Sequence, residues 1–449
     1  MTAEGLTLRL AERAAATRWD NLPDLARQAA AQAALDFMGC ALAGAEEPVA
    51  LHLGAELADA GGAPQASAIG RPGRFPVAAA ALLNGAAGHA LDFDDVNMGM
   101  PGHPTVAILP ALLALGQARG ASGAAVLAAL VAGTELACRV GRALAPGHYD
   151  GLGFHATATV GCLGAAAACA NLLGVDARAT AVAVGIAATQ AAGLKSQFGT
   201  DCKPLHAGAA ARNGLLAARL AARGFTARTD AIECAQGFAA THSPDFDLAA
   251  AAADAPGGYY IISNLYKYHA ACYLTHAPIE ALRGLRERFA ITPGDVEEIR
   301  LTLADACDRV CNIAAPRTGL EAKFSLRQTA AMALAGVETG ALASYSAATA
   351  RDPELVALRG RVAFEFRPEL SHTDATVALR LRDGRVLTAR HDSGVPAPDL
   401  DAQAARLAAK FQVLAAPVLG AARAETLGAR LLGLAAEADV GAVMALAGG

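Results

Sequence analysis

A chain of 449 residues with a formal net charge of −5 and only 18% charged residues carries no basic run or stripe, which argues against nucleic acid or an anionic membrane as a partner. Its length exceeds one ordinary core and predicts two domains. The apolar fraction is 54% with only 5% aromatic residues, and because Ala, Leu and Val supply most of it, packed helices are expected rather than a sheet sandwich.

The first residues interleave charge with apolar side chains instead of placing a basic region before an apolar run, so no secretory signal is read. A cytoplasmic protein with a small-molecule partner is expected. The nine cysteines are scattered without CxxC or zinc-ribbon spacing. No HExxH, GxGxxG or GxxxxGK[ST] occurs either, so no metal and no nucleotide cofactor is expected.

In chain order, helical periodicity runs over 8–61, with a long helix ending near Ala43 and a second over 49–60. After a Gly/Pro/Arg loop at 70–75, a helix over 77–91 delivers the chain into Asp92-Phe93-Asp94-Asp95. Three carboxylates around one Phe do not suit a buried face, and the stretch reads as a helix end opening into a loop. His103 follows between Pro101-Gly102 and Pro104, ahead of an apolar helix over 106–118, as suits a positioned proton carrier.

A helix over 123–143 and a break at 146–155 place His155 directly before an uncharged run, 156–175. That run is long enough to cross a bilayer. Its Ala and Gly content, with Thr157, Thr159 and Asn171, predicts the central helix of a large helical domain instead. After a helix over 179–192 comes a stretch that holds Lys203, His206 and Arg212 among Ala, Gly and Pro. Pro204 suits a first helical turn, so a helix is expected over 204–223 with Leu215, Leu216 and Leu220 on one face. Lys203 and His206 at its start add to the partial positive charge of a helix N-terminus, which makes a place for a carboxylate.

Residues 225–258 are irregular and Asp-rich, and Lys267 and His269 then precede a predicted helix with Cys272 and His276 on one face. The period changes after Pro293: Ile299, Leu301 and Leu303 alternate as in a strand, 362–366 reads as another, and 376–381 with 385–389 forms a hairpin. Asp383-Gly384 suggests a type I′ turn for that hairpin. A helix over 324–335, with Lys323 at its start, lies between the strands, and Ala/Leu helices return over 401–446. The expected fold is mainly α: a large helical domain from both chain ends, 1–266 and 397–449, and a smaller α+β domain, 267–396. Loops between apolar helices that carry His103, His155 and Lys203 would converge at one end of such a bundle, the usual route to a site in a helical protein.

Together these stretches resemble the MmgE/PrpD family, which includes 2-methylcitrate dehydratase, cis-aconitate decarboxylase and iminodisuccinate epimerase. The resemblance covers nearly the whole chain. It rests on His89-Ala-Leu-Asp-Phe-Asp-Asp95 with His103-Pro-Thr, Gly153-Phe-His-Ala-Thr-Ala-Thr-Val-Gly161, Lys203-Pro-Leu-His-Ala-Gly208, Lys267 through His276, and Gly319-Leu-Glu-Ala-Lys-Phe-Ser325. It implies a homodimer, a smaller domain acting as a lid, and a metal-independent site between domains. The residues that match are Asp92, His103, His155, Lys203 and Lys267, with Cys272 and His276. His206, Arg212 and Gln328 complete the set expected around the substrate, His206 as a support.

Two departures stand out. Val96 replaces a Thr hydroxyl after the Asp cluster and is followed by Asn97 and Met98, and Gln328 stands where the decarboxylase carries a Tyr. The leading expectation is a lyase without cofactor, dehydrating a hydroxylated di- or tricarboxylate that resembles 2-methylcitrate. The alternatives are an epimerase of an iminodisuccinate-like amino dicarboxylate and a non-catalytic carboxylate-binding relative.

Overall fold

The structure is a computed structural model and describes residues 5–448. The chain divides into a larger unit, running to Tyr266 and resuming at Ala397, and a smaller one, Lys267–Pro396.

The larger unit is helical: α1 (Leu6–Ala16), α2 (Asp24–Ala43) and α3 (Pro48–Ala60), a two-residue antiparallel pair of β1 (Ala66–Ser67) and β2 (Arg74–Phe75), then α4 (Val77–His89), α5 (Pro104–Arg119), α6 (Gly123–Leu144), α7 (Ala156–Leu173), α8 (Ala177–Ala188) and α9 (Cys202–Ala221). Local chemistry sets the ends. Pro48 and Pro104 occupy first turns, where a missing N–H costs nothing. Ser122 and Asp176 accept from the N–H groups of Ala125 and Ala179, and Gly120 and Gly174, with positive φ, end α5 and α7.

The uncharged run became α7, buried from Ala156 to Ala170 and packed by α5, α6, α8 and α9. Although α6 and α7 are long and apolar enough to span a membrane, both are mostly buried inside this unit. Small residues let the helices approach to backbone contact. A Cβ on Gly164 would lie 2.8 Å from the Gly133 carbonyl oxygen. At the crossing of α4 and α9, a Cβ on Gly208 would lie 2.1 Å from the Leu82 oxygen, and one on Gly85 2.7 Å from the Gly208 Cα. This crossing ties the start of α9 to the end of α4. The chain returns as the helix Leu400–Leu419, which packs on α2 through Leu407, Phe411 and Leu414. Gln32 donates to the Leu400 carbonyl and accepts from Gln403, 2.7 Å each.

The smaller unit holds a four-stranded sheet of order β4–β3–β5–β6, with β3 Val296–Ala304, β4 Val362–Arg367, β5 Asp374–Leu381 and β6 Val386–Asp392. β3 runs parallel to β4, Ile299 opposite Val362, and antiparallel to β5, Leu301 opposite Val377. A parallel neighbour needs a crossover, and here it contains the helix Leu326–Ala335. That helix and His276–Phe289 supply Leu282, Leu285, Leu326 and Leu334 to a core shared with Leu301, Val377 and Leu379. The molecule is thus mainly α with a smaller α+β portion.

Four local expectations change. Leu216 is 45% exposed, outside the buried face that Leu215 joins, because consecutive residues on a helix point about 100° apart. The helix predicted over 324–335 starts at Leu326, capped by Ser325, and a separate short helix, Gly319–Lys323, precedes it. The helix after Lys267 begins only at His276, so Cys272 lies before it and does not share its face. The hairpin turns through Arg382, Asp383 and Gly384, with positive φ at Gly384 but not at Asp383. That pattern fits a three-residue loop closed by a left-handed glycine rather than a type I′ turn.

The α4–α9 crossing predicts that Gly208→Ala lowers stability by about 1–3 kcal/mol through overpacking. Gly284, in the helix His276–Phe289, has nothing within 4 Å of an added Cβ, and Gly284→Ala should gain about 0.5–1 kcal/mol. Urea midpoints of the two variants check the contrast, and a Gly208→Ala midpoint equal to wild type would refute the close crossing.

Candidate active site

The site in the larger unit begins where α4 ends. His89 is its last residue, and the chain turns sharply at Asp92, whose φ of 50° lies in the left-handed region that Asp tolerates better than most residues. The turn sends the next two carboxylates inward. Asp94 and Asp95 are each 1% exposed, so the cluster read as a helix end opening into a loop is buried in two of its three acids. Burial is sustained because each has partners. Asp94 meets His89 Nδ1 at 2.9 Å and His103 Nδ1 at 3.2 Å. Asp95 accepts from Thr105 Oγ1 at 2.5 Å and Asn264 Nδ2 at 2.6 Å.

His103, just before α5, is held on three sides. Its N–H donates to Thr157 Oγ1 on α7 at 3.1 Å, its Nδ1 faces Asp94, and its Nε2 stands 3.6 Å from Asp92 Oδ1. The preceding loop is fixed by Asn97, whose side chain donates to Tyr260 O and Asn264 Oδ1 and accepts from the N–H of Gly99. Val96 exchanges both backbone hydrogen bonds with Leu265. Val96 and Asn97 therefore build the loop through their own contacts.

Lys203, in the first turn of α9, donates from Nζ to Asp92 Oδ1 at 2.7 Å and lies 5.2 Å from the centre of the Phe198 ring. One turn on, His206 meets His155 Nδ1 to Nδ1 at 3.2 Å. His155 is 2% exposed, donates its N–H to Gly193 O, stacks on His89 at 5.8 Å and is met edge-on by Phe198 at 4.9 Å. Asp92, His103, His155, Lys203 and His206 thus form one cluster with His89 and Asp94. Arg212 does not join it. It is exposed, bonded to Asn213, and nine positions along α9 from Lys203, an axial rise of about 13 Å.

The electrostatics separate the groups. Burial, helped by Lys203 and His103, lowers His89 to about 4 despite Asp94. Burial drives His155 lower still, with His89, His103 and Lys203 adding to it, so this imidazole is neutral. Burial would raise Asp94, but His89 and His103 outweigh it and hold the carboxyl well below the usual range. The adjacent Asp95 goes the other way, pushed well above that range by burial. Two neighbouring carboxylates in opposed environments have separate roles: Asp94 is the anion against the imidazoles, and Asp95 pins Thr105 and Asn264.

An anionic Asp94 favours the proton on Nδ1 of His103, which leaves the Nε2 lone pair on the side of Asp92 and Lys203. The ring is thus held by a buried carboxylate, beside the Asp92–Lys203 pair. His89, Asp92, Asp94 and His103 also offer atoms within 4.8 Å of one another, a spacing that could surround a metal ion. Lys203 already brings positive charge to Asp92, so a metal would have to displace it.

In the smaller unit, Lys267 is buried at its boundary, two residues after the Val96–Leu265 pairing. His269 bonds Thr339 Oγ1 through Nδ1 and Glu280 through Nε2, and His276 lies 4.9 Å away ring to ring. Burial, with His269 and Lys267, holds His276 well below its ordinary range. Cys272 donates its N–H to Lys323 O. Gln328 is fully buried, with its amide donating to Thr349 O and accepting from Arg359. Both ends are spent within the fold.

Two members of the cluster, His89 and Asp94, were absent from the expected set. Their signal was the five-residue spacing from the last turn of a helix into the Asp run. Because the unfolded His89 binds a proton near 6.5 and the folded one only near 4, stability is fullest above 6.5 and falls as pH drops from 6.5 to 4, by about 3 kcal/mol for this group. His89→Gln should flatten that part of the pH dependence of urea unfolding, whereas the drop from His148, also lowered to about 4 by burial, remains.

The chain is 30% identical over 300 residues to a cis-aconitate decarboxylase of Aspergillus terreus, a match that covers 64% of this chain and 61% of that protein's length. It is 30% identical over 346 residues to the cis-aconitate decarboxylase of Mus musculus, 72% of this chain and 69% of the relative, and 28% identical over 336 residues to that of Homo sapiens. The MmgE/PrpD N-terminal domain model matches residues 8–251 and the MmgE/PrpD C-terminal domain model residues 269–432. With both family domains matched in order, the chain belongs to the MmgE/PrpD family.

Proposed function

We propose that this protein is a lyase without cofactor that acts on a di- or tricarboxylic acid through negative charge formed next to a carboxylate, dehydrating a hydroxylated substrate. The observation that carries this reading is His103, with Nδ1 against buried Asp94 and Nε2 on the side of the Asp92–Lys203 pair. A carbon acid of this type needs a general base and fixed cations. His103 takes the proton α to a carboxylate, and the electron pair spreads into that carboxylate as an enediolate held by Lys203. The β C–O bond then breaks, the pair forms the alkene, and the departing hydroxide takes a proton and leaves as water. Neutral His155, backed by His206, is a poor base and serves as a hydrogen-bond donor to developing charge. The molecule works in the cytoplasm as a homodimer.

Decarboxylation is the second reading, favoured by the named relatives at about 30% identity. There the C–C bond breaks, carbon dioxide leaves, and the electron pair on carbon is protonated. Gln328 argues against it, since an amide offers no acidic proton where a phenol would. An epimerase would return the proton to the same carbon.

Candidate acids in deuterated water separate the readings. Dehydration gives a new alkene, decarboxylation gives carbon dioxide with deuterium on carbon, and epimerisation gives deuterium at the stereocentre alone. If a broad carboxylate panel gives none of these and Lys203→Ala still binds the acids as wild type does, the anion site is wrong. On a reacting acid, His103→Gln should lower kcat by about 10²–10⁴. Asp94→Asn should also lower kcat, because an amide no longer selects the tautomer with the proton on Nδ1. Equal rates for wild type and Asp94→Asn would remove the carboxylate from the mechanism.

A further inference from the structure

A second cation lies beneath the Asp92–Asp94 stretch. Lys410, in the helix Leu400–Leu419, has a side chain only 4% exposed. Its Nζ donates to Asp36 Oδ1 at 2.6 Å and to the Phe93 carbonyl at 2.7 Å, and it lies 4.0 Å from the centre of the Phe93 ring. Phe93 stands between the two carboxylates of the site, Asp92 on Lys203 and Asp94 on both imidazoles.

The Phe93 carbonyl belongs to the planar peptide that leads into Asp94. A donor fixed on that oxygen sets the plane of the peptide, one residue beyond Asp92 with its φ of 50°. Water cannot readily take over at so buried a place. Stability alone is a weak reason for the ion pair, since apolar replacement of a buried pair is often neutral or better.

We propose that Lys410 is a positioning residue: by holding the Phe93–Asp94 peptide it keeps Asp94 against His103 while Asp92 reaches Lys203. The proposal rests on reading His103, Asp92 and Lys203 as the reacting set.

Lys410→Met alone strands Asp36 as an unpaired buried charge, so the informative variant is Lys410→Met with Asp36→Leu, compared with Asp36→Asn, which keeps the bond to Phe93. The first readout is the ¹⁵N signal of the His103 ring, which reports the tautomer and needs no substrate. The double variant should unfold at a urea midpoint near wild type, yet show His103 shifted away from the Nδ1-protonated tautomer, whereas Asp36→Asn keeps the wild-type signal. On a reacting acid, kcat of the double variant should fall about 10–100-fold with KM little changed. A wild-type His103 signal in the double variant, or an equal shift in Asp36→Asn, overturns the proposal. If no acid reacts with the wild-type protein, the lyase reading fails while the tautomer comparison still decides the role of Lys410.

Discussion

The site depends on one buried anion. Asp94 is 1% exposed and lies within 3.2 Å of two imidazole nitrogens, those of His89 and His103. A carboxylate taken out of water is costly unless matched by donors and charge, so the end of α4 and the start of α5 are constrained to bring both rings to it. Once Asp94 serves the imidazoles, Asp92 is turned outward to meet Lys203. The same arrangement turns His103 Nε2 toward Asp92 and leaves His155, buried beside Lys203 and other imidazoles, neutral.

Composition makes this geometry reachable. A chain rich in Ala and Gly stabilises each helix contact by many small dispersion gains, and it lets backbones approach where larger side chains would hold them apart. Gly85 and Gly208 do this between α4 and α9. Lys203 and His206 are therefore delivered next to His89 and Asp92 by rigid helices, with little dependence on loop conformation. Glycine inside helices costs backbone entropy, offset here by the close crossings it permits.

The chemistry proposed for this cluster is the one general to carbon acids beside a carboxylate, which needs a base and a fixed cation. Belonging to the MmgE/PrpD family accounts for the shared scaffold, and the departures have structural explanations. Asn97 ties its loop to Tyr260 and Asn264, and Gln328 is enclosed by Thr349 and Arg359.

The sequence by itself determined the helical class, the α+β portion, and the loops that carry His103, His155 and Lys203. Periodicity, capping residues and Gly/Pro punctuation are local signals, and they survive folding wherever tertiary contacts do not compete. Only the tertiary structure decided which acid does which task. Asp92, Asp94 and Asp95 are near neighbours with identical side chains, and their environments differ through partners drawn from α4, α5, α9 and the loop at Asn264. Arg212 lay outside the cluster because helical rise carried it away, and Cys272 missed the helix because it precedes a separate short turn, Tyr273–Thr275, and the helix starts only at His276. Lys410 was illegible for the same reason at larger scale: it meets the Phe93 carbonyl across 317 residues of chain, and no local pattern encodes a contact made only when the last helices close on the first.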